Sequence, residues 1–332
     1  MPAKKFIPTQ PFSPAVTKLE QGAISGTNAN AGRKDLDGID IKIEMSPSIV
    51  SNDPFAYRYL LYGPKGAGKT KLSSMFGGGE NIYFLMFEKI AEHLSIRQSL
   101  MDDQRNVDGT LKKTGWLVAE AYLEYLIKNP NGVNLICCDG LRAMYSKAFF
   151  QGCREAGVDH PGGQKDFGKS WDKVKSTFNR FVERLIHSQF GLIFNCHDIQ
   201  ISEEKFINGR IETQTQIIPN LPKEADEFVR QLVDNVFYLH FRGYDRWLQI
   251  RPDQMVYASC KSDNHFLTRD GEPIYMIPMG SDAKEGYVNF IKAFNNEQEK
   301  AYKEITKEDI AETNKAGKGN TTIKKIKERK GQ

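Results

Sequence analysis

The run Gly63-Pro64-Lys65-Gly66-Ala67-Gly68-Lys69-Thr70 limits what this chain can fold into more than any other feature. It fits G-x-x-x-x-G-K-[ST], follows the apolar segment Tyr59 to Tyr62, and precedes the helix-competent stretch KTKLSSMF. A glycine-rich turn between a buried strand and a helix lets backbone N–H groups curl around an anion without Cβ clashes. The helix N-terminus adds partial positive charge. Gly63 to Lys71 therefore reads as a phosphate-binding run. Lys69 would reach the β- and γ-phosphates of a nucleoside triphosphate, and Thr70 would offer its hydroxyl to Mg2+.

A strand, a loop and a helix in that order are half of a βαβ unit, and the rest of the chain continues the pattern. The apolar runs YRYLLYG, NIYFLMF, VNLICCD and GLIFNC alternate with amphipathic stretches, a helix from Lys69, one from Trp116 to Lys128 and one from Phe167 to Ser188. This order predicts an α/β fold, a mostly parallel sheet with crossover helices. The runs lack clean alternation, as expected of strands covered on both faces. The later segments VDNVFYLHF, DRWLQIRP and MVYASCK predict antiparallel strands extending one edge.

With 332 residues the chain suits one large domain or two ordinary ones. Residues 1–37, rich in Pro, Gly, Asn, Ala, Thr and Lys, read as a flexible N-terminal arm. Ile39, Ile41, Ile43 and Met45 alternate with polar residues and mark the opening of a core spanning 38–295. Residues 296–332 form a charged tail, basic from Lys315 onward. No apolar run approaches the ~18 residues that cross a bilayer, and the opening segment carries no secretory signal, so a cytoplasmic protein without a membrane partner is expected. Five cysteines, Cys137, Cys138, Cys153, Cys196 and Cys260, form no C-x-x-C pair and read as reduced thiols. The net charge of +4 is too small to identify a polyanionic partner by itself.

Three polar residues end apolar runs. Asp139 closes Val133 to Cys138, at the carboxyl end of a buried strand, where open α/β sheets bind ligands. It either helps hold Mg2+ or caps the following helix. Glu88 closes Ile82 to Phe87 and would lie beside the phosphate loop if its strand were adjacent. It either orients the attacking water or complements a helix dipole. His197 follows Leu192 to Cys196 and either senses a γ-phosphate or is a satisfied structural histidine.

With the phosphate loop, Glu88, Asp139 and His197 in that order, the chain resembles the RecA-like ATPases over about Tyr59 to Lys261, and in particular the short phage-encoded RecA-like P-loop ATPases linked to recombination and single-strand annealing. The resemblance implies a RecA-like P-loop NTPase core using ATP and Mg2+, with Glu88 as the catalytic glutamate and Asp139 as the Mg2+-associated acid. It makes His197 the link from the γ-phosphate to a DNA-binding loop. It also implies single-stranded DNA as partner, a homo-oligomeric ring or filament, and DNA contacts in two segments. These are Gln151 to Lys165, with Arg154, His160 and Lys165, and Asp198 to Lys223, with Lys205, Phe206, Arg210 and a turn at Asn208-Gly209. Lys261 falls where a subunit of the family reaches its neighbour's γ-phosphate. Phe12-Ser13-Pro14-Ala15 resembles an arm motif that docks on a neighbouring core, and the basic tail could meet DNA or a single-strand-binding protein.

Two departures qualify the match. Asp139-Gly140 stands where the family often has Asp-Ser, and the Glu88 strand lacks a preceding acid. An NTP-driven DNA motor of helicase or packaging type stays open, as does a P-loop small-molecule kinase. Such kinases usually carry an arginine-rich lid, whereas Arg242, Arg246 and Arg251 fall on expected strands.

Overall fold

Strand β1 (Arg58–Gly63) lies at the centre of the sheet because Tyr59, Leu60, Leu61 and Tyr62 are all buried, with apolar layers on both faces. The computed structural model describes residues 50–163, 168–207 and 210–303. The alternation at Ile39 to Met45, the Phe12-Ser13-Pro14-Ala15 motif, Lys165, the Asn208-Gly209 turn and the tail from Lys315 lie outside them.

In chain order the strands are β1, β2 (Ile82–Met86), β3 (Arg97–Leu100), β4 (Gln104–Arg105), β5 (Leu111–Lys113), β6 (Leu135–Asp139), β7 (Gly191–Ile207), β8 (Arg210–Pro219), β9 (Asn235–Arg242), β10 (Asp245–Gln249), β11 (Ser259–Cys260) and β12 (Met276–Pro278). The helices are α1 (Lys69–Ser73), α2 (Gly115–Lys128), α3 (Leu141–Ala156), α4 (Lys169–Ile186), α5 (Lys223–Leu232) and α6 (Ala283–Phe294). The main sheet runs β12-β10-β9-β1-β7-β6-β2-β3, with β8 pairing β7 and β11 pairing β9. From β9 to β3 the neighbours are parallel. β10 and β12 extend the β9 edge antiparallel. The mostly parallel α/β sheet read from the apolar runs is the sheet observed.

Successive side chains of a strand face opposite layers. Leu60 and Tyr62 of β1, Ile136 and Cys138 of β6, and Leu192 and Phe194 of β7 join the layer filled by α2, α3, α4 and α5. Tyr59, Leu61, Leu135, Cys137 and Ile193 join the opposite layer, with Leu72, Phe76, Phe290 and Phe294. Large rings fill both layers. Trp116 of α2 stands 4.8 Å from Phe181 of α4, and Phe76 stands 4.9 Å from Phe290 of α6, measured between ring centroids. Among the described residues no helix is long and apolar enough to cross a membrane.

Several local expectations need correcting. The helix from Lys69 stops at Ser73, and Gly77, Gly78 and Gly79 take left-handed φ of 66°, 71° and 81° in the turn that follows. VDNVFYLHF supplies β9, which runs parallel to β1 because α5 intervenes as a crossover, so the antiparallel edge begins at β10. MVYASCK contributes only the two-residue β11. Gln151 and Arg154 belong to α3 rather than to a loop; Gln151 is buried and accepts a 2.7 Å hydrogen bond from Thr114 Oγ1. Folded structure also continues past residue 295: Tyr275 N–H donates to Ala301 O at 2.8 Å, and Tyr302 packs edge-on against buried Trp247.

Helix α5 contains a buried ion pair. Asp226 is 2% exposed and bonds Arg230, whose guanidinium lies 4.1 Å from the Tyr257 ring centroid. Burial pushes the Asp226 carboxyl from 3.8 up to about 6, although Arg230 opposes the shift. The folded chain therefore holds this proton more tightly than the unfolded chain does. Its stabilising contribution is complete below the unfolded value and is lost as pH rises through about 6. Asp226→Asn removes the titration, so urea midpoints of the wild type should fall relative to the variant between about pH 4 and pH 7. A constant gap across that range would show that Asp226 does not titrate on unfolding.

Candidate active site

Strand register assembles the candidate site. Gly63 pairs with His197 across β1 and β7, and Asp139 pairs with Asn195 across β6 and β7. The three strands therefore end on one edge with their polar residues side by side. Between them lies a cleft lined by the loop from Lys65 to Lys71, Glu88 to His93, Asp139, Asn195, His197 and Arg246.

Gly63 has to be glycine. Its φ is 154°, and a Cβ there would sit 2.0 Å from the Leu239 carbonyl oxygen of β9. The loop closes on itself through Ala67 N–H to Pro64 O at 3.2 Å, and it delivers Lys69 into the cleft. Lys69 is 7% exposed, and its ammonium donates to Gly63 O at 2.8 Å and Pro64 O at 3.0 Å, with His197 Nδ1 at 3.4 Å. Burial lowers its pKa, against the raising influence of Asp139 and Asp198. A buried ammonium held by neutral carbonyls is matched to an incoming anion.

Thr70 Oγ1 donates to Asp139 Oδ2 at 2.5 Å. Burial raises the Asp139 carboxyl above its ordinary value, while hydrogen bonds from Thr70 and Asn195 pull it back. Asn195 is 1% exposed and is itself fixed on the other side, where its Oδ1 accepts from Ser73 Oγ at 3.0 Å. Ser73 is the last residue of α1, so Asn195 ties the loop helix to the Asp139 strand. Asn195 was not singled out from the sequence. Its position two residues before His197 in GLIFNC marked it only as a polar residue inside an apolar run.

Glu88 enters the cleft by a different route from the one anticipated. β2 is not adjacent to β1; β7 and β6 stand between them. Glu88 nevertheless reaches His197, with Oε2 3.6 Å from Nε2, because the chain after β2 folds back over Gly140. Gly140 has φ 90°, and a Cβ there would stand 2.6 Å from Glu88 Cγ. Having Gly140 after Asp139 gives up a hydroxyl and makes room for this carboxylate. Glu88 and His197 are 43% and 36% exposed and open to solvent in the cleft.

The remaining candidates lie elsewhere. Lys261 sits at the opposite edge of the sheet, where Cys260 pairs with Asn235 at the start of β9. Its ammonium donates to the carbonyls of Arg230, Gln231 and Val233, closing the C-terminus of α5. Acting on a neighbouring subunit would require it to leave those carbonyls. Arg154 lies exposed in the last turn of α3. Lys205, Phe206 and Arg210 belong to the β7–β8 hairpin, in backbone register with Glu212, Ile211 and Ile207. Past His197, β7 pairs with β8 alone, so Asp198 to Ile207 form a two-stranded arm of roughly 30 Å. Arg246, on β10, lines the cleft beside Gly68 and was passed over as an ordinary strand residue.

Four cysteines, Cys137, Cys138, Cys153 and Cys196, are buried, and all five are free thiols. Burial pushes the Cys196 thiol up to about 12. Among the described residues no group of three or more His, Cys, Asp or Glu has the arrangement of a metal centre.

No curated protein matches the chain. A family model described as an AAA domain matches residues 56–262, a stretch that begins just before β1 and ends just after Lys261. That match covers more than half of the chain and the whole of the cleft, and the chain belongs to the AAA domain family of P-loop ATPases.

Proposed function

We propose that this protein binds and hydrolyses ATP with Mg2+ and acts on single-stranded DNA in recombination, annealing or repair. One observation carries the reading. His197 stands between Lys69 and Glu88 in the cleft, and the residues that follow it form the β7–β8 arm. The base of the arm is anchored from both sides: Asn220 N–H donates to His197 O at 2.8 Å, and Tyr238 Oη donates to Asp198 Oδ2 at 3.1 Å. Tyr62, next to the loop, donates to Ile217 O of β8 at 3.2 Å. A side chain that changes partner when a terminal phosphate leaves would thus pull on an arm long enough to meet a polymer.

Within the cleft the residues divide the chemistry. Lys69 counters charge on the β- and γ-phosphates. Thr70 and Asp139, both hard oxygen donors, fit an Mg2+ bound together with phosphate oxygens. When bound, that ion supplies Lewis-acid stabilisation of charge developing on the transferred phosphoryl group. Glu88, exposed in the cleft with His197 Nε2 3.6 Å from its Oε2, takes the proton of the attacking water in this reading. Arg154 and the hairpin residues Lys205, Phe206 and Arg210 are the proposed DNA contacts, cations for phosphates and a ring for stacking. A homo-oligomer, ring or filament, would line up successive arms along one strand.

ATP hydrolysis should rise when single-stranded DNA is added to the full chain, and Lys69→Ala should lose both nucleotide binding and turnover. A rate indifferent to DNA, with nucleosides phosphorylated instead, would replace this reading with a kinase. Glu88→Gln should keep nucleotide affinity but lower kcat by about 10²-fold or more. Turnover preserved in Glu88→Gln would move the role of base to another group.

A further inference from the structure

On the far side of Gly68 from the phosphate cleft, a second concavity opens between α1, β9 and α6. Leu72, Leu239, Met279 and Ala283 form its apolar walls, Lys71, Ser281 and Asp282 add polar groups, and Arg246 lines both this cavity and the cleft. The guanidinium of Arg246 is only loosely engaged. Its Nη1 reaches Ser281 O at a long 3.4 Å, its Cζ lies 5.2 Å from the Phe241 ring centroid, and its buried Nε has no hydrogen-bond partner. A planar cation with an unused buried donor therefore stands where an anion-binding loop meets a partly apolar pocket.

The cleft gives a bound nucleotide a direction. Thr70 with Asp139, His197 and Glu88, the groups suited to a terminal phosphate, belong to the loop and to the β7, β6 and β2 side of β1. The cavity lies on the other side, where β9 and β10 stand. A triphosphate anchored by its terminal phosphate at Thr70 leads its other end away from Asp139, across Gly68. Gly68 is the close-approach point, with Arg246 Nε 3.9 Å from where a Cβ would be.

We propose that this cavity receives the nucleoside end of the nucleotide, with the Arg246 guanidinium stacked on the base and its Nε–H given to a ribose or phosphate oxygen. The inference rests on the reading of the cleft as a nucleotide site. A flat cation is suited both to stacking and to oxygen acceptors. Of the polar groups in the lining, Ser281 Oγ donates to Glu285 Oε2 at 2.9 Å and Asp282 Oδ1 accepts from Glu285 N–H at 2.9 Å, so they are engaged at the start of α6 and the base is held chiefly by burial and stacking rather than by its hydrogen-bonding edge. Burial without hydrogen bonds to the base rejects a similar-sized competitor weakly. ATP and GTP therefore bind within about tenfold of one another, and inorganic tripolyphosphate, which lacks the nucleoside, binds at least about tenfold more weakly than either.

The test is calorimetric titration of the full chain with ATP, GTP and tripolyphosphate in Mg2+, for wild type, Ala283→Trp and Arg246→Gln. Ala283 is the half-buried first residue of α6, so an indole there fills the cavity from its rim. Ala283→Trp should weaken ATP and GTP about tenfold or more, to the level of tripolyphosphate, while leaving tripolyphosphate affinity unchanged. Arg246→Gln should weaken both nucleotides more than it weakens tripolyphosphate. Wild-type ATP affinity in a folded Ala283→Trp variant would place the nucleoside elsewhere. Equal losses for all three ligands in Arg246→Gln would reduce Arg246 to a phosphate contact, and either result overturns the proposal. Should Ala283→Trp unfold early in a thermal scan, the Arg246→Gln comparison decides alone. GTP binding more than about a hundredfold weaker than ATP would contradict recognition by burial. Wild type that binds none of the three ligands overturns the nucleotide reading itself, a different failure from loss of the nucleoside preference.

Discussion

The registers that align β1 with β7 and β7 with β6 are the constraint on which the site depends. Gly63 opposite His197 and Asp139 opposite Asn195 are set by main-chain hydrogen bonds, and the side chains follow. Side chains alternate with a period of two, so a slip of one residue in β7 would turn His197 and Asn195 to the other face and bury Cys196 in the wrong layer. The apolar layers on both faces resist such a slip. Ile193 and Phe194 are nearly inaccessible on opposite sides, and neither could move to a solvent-facing position without cost. The cores thus hold the polar constellation in place, and they meet it where Asn195 Nδ2 donates to Cys137 Sγ at 3.5 Å.

Within that frame the cleft is built from groups that restrain one another. Lys69 is held by two carbonyls, and Asp139 by Thr70 and Asn195. Asn195 is held in turn by Ser73. Each of these three groups is partnered, as a site kept ready for a charged ligand requires, since an unpaired buried charge is expensive. Glu88 and His197 are the exceptions, solvent-open and loosely paired, and these are the two residues suited to changing partner.

Legibility in the sequence followed the range of the interaction. The loop from Gly63 to Thr70 could be read because its chemistry is local: glycines, a lysine and a hydroxyl at fixed spacing between a strand and a helix. Asp139 could be read because an apolar run ending in a carboxylate is also local. Asn195 could not, since its value depends on Ser73 and Asp139 arriving from distant segments. Arg246 carries no local mark, and only the antiparallel pairing of β10 with β9 brings it beside Gly68. Gln151 to Ala156 fall in the segment that the RecA-like resemblance assigns to a DNA-binding loop, yet they complete α3. Their packing is tertiary: Cys153 of α3 is buried, and Tyr145 packs on Phe178 of α4 with ring centroids 5.3 Å apart.

The contact between Gly140 and Glu88 has a bearing on how such a site can change over generations. The glutamate side chain fills space that any residue with a Cβ at 140 would claim, and the left-handed backbone there adds a second objection. Position 140 is not free to drift alone. A lineage that restored a hydroxyl beside Asp139 would first have to shorten or redirect residue 88, passing through an intermediate without the solvent-facing carboxylate. The two positions should therefore vary as a pair, and glycine at 140 should accompany a long acid at 88.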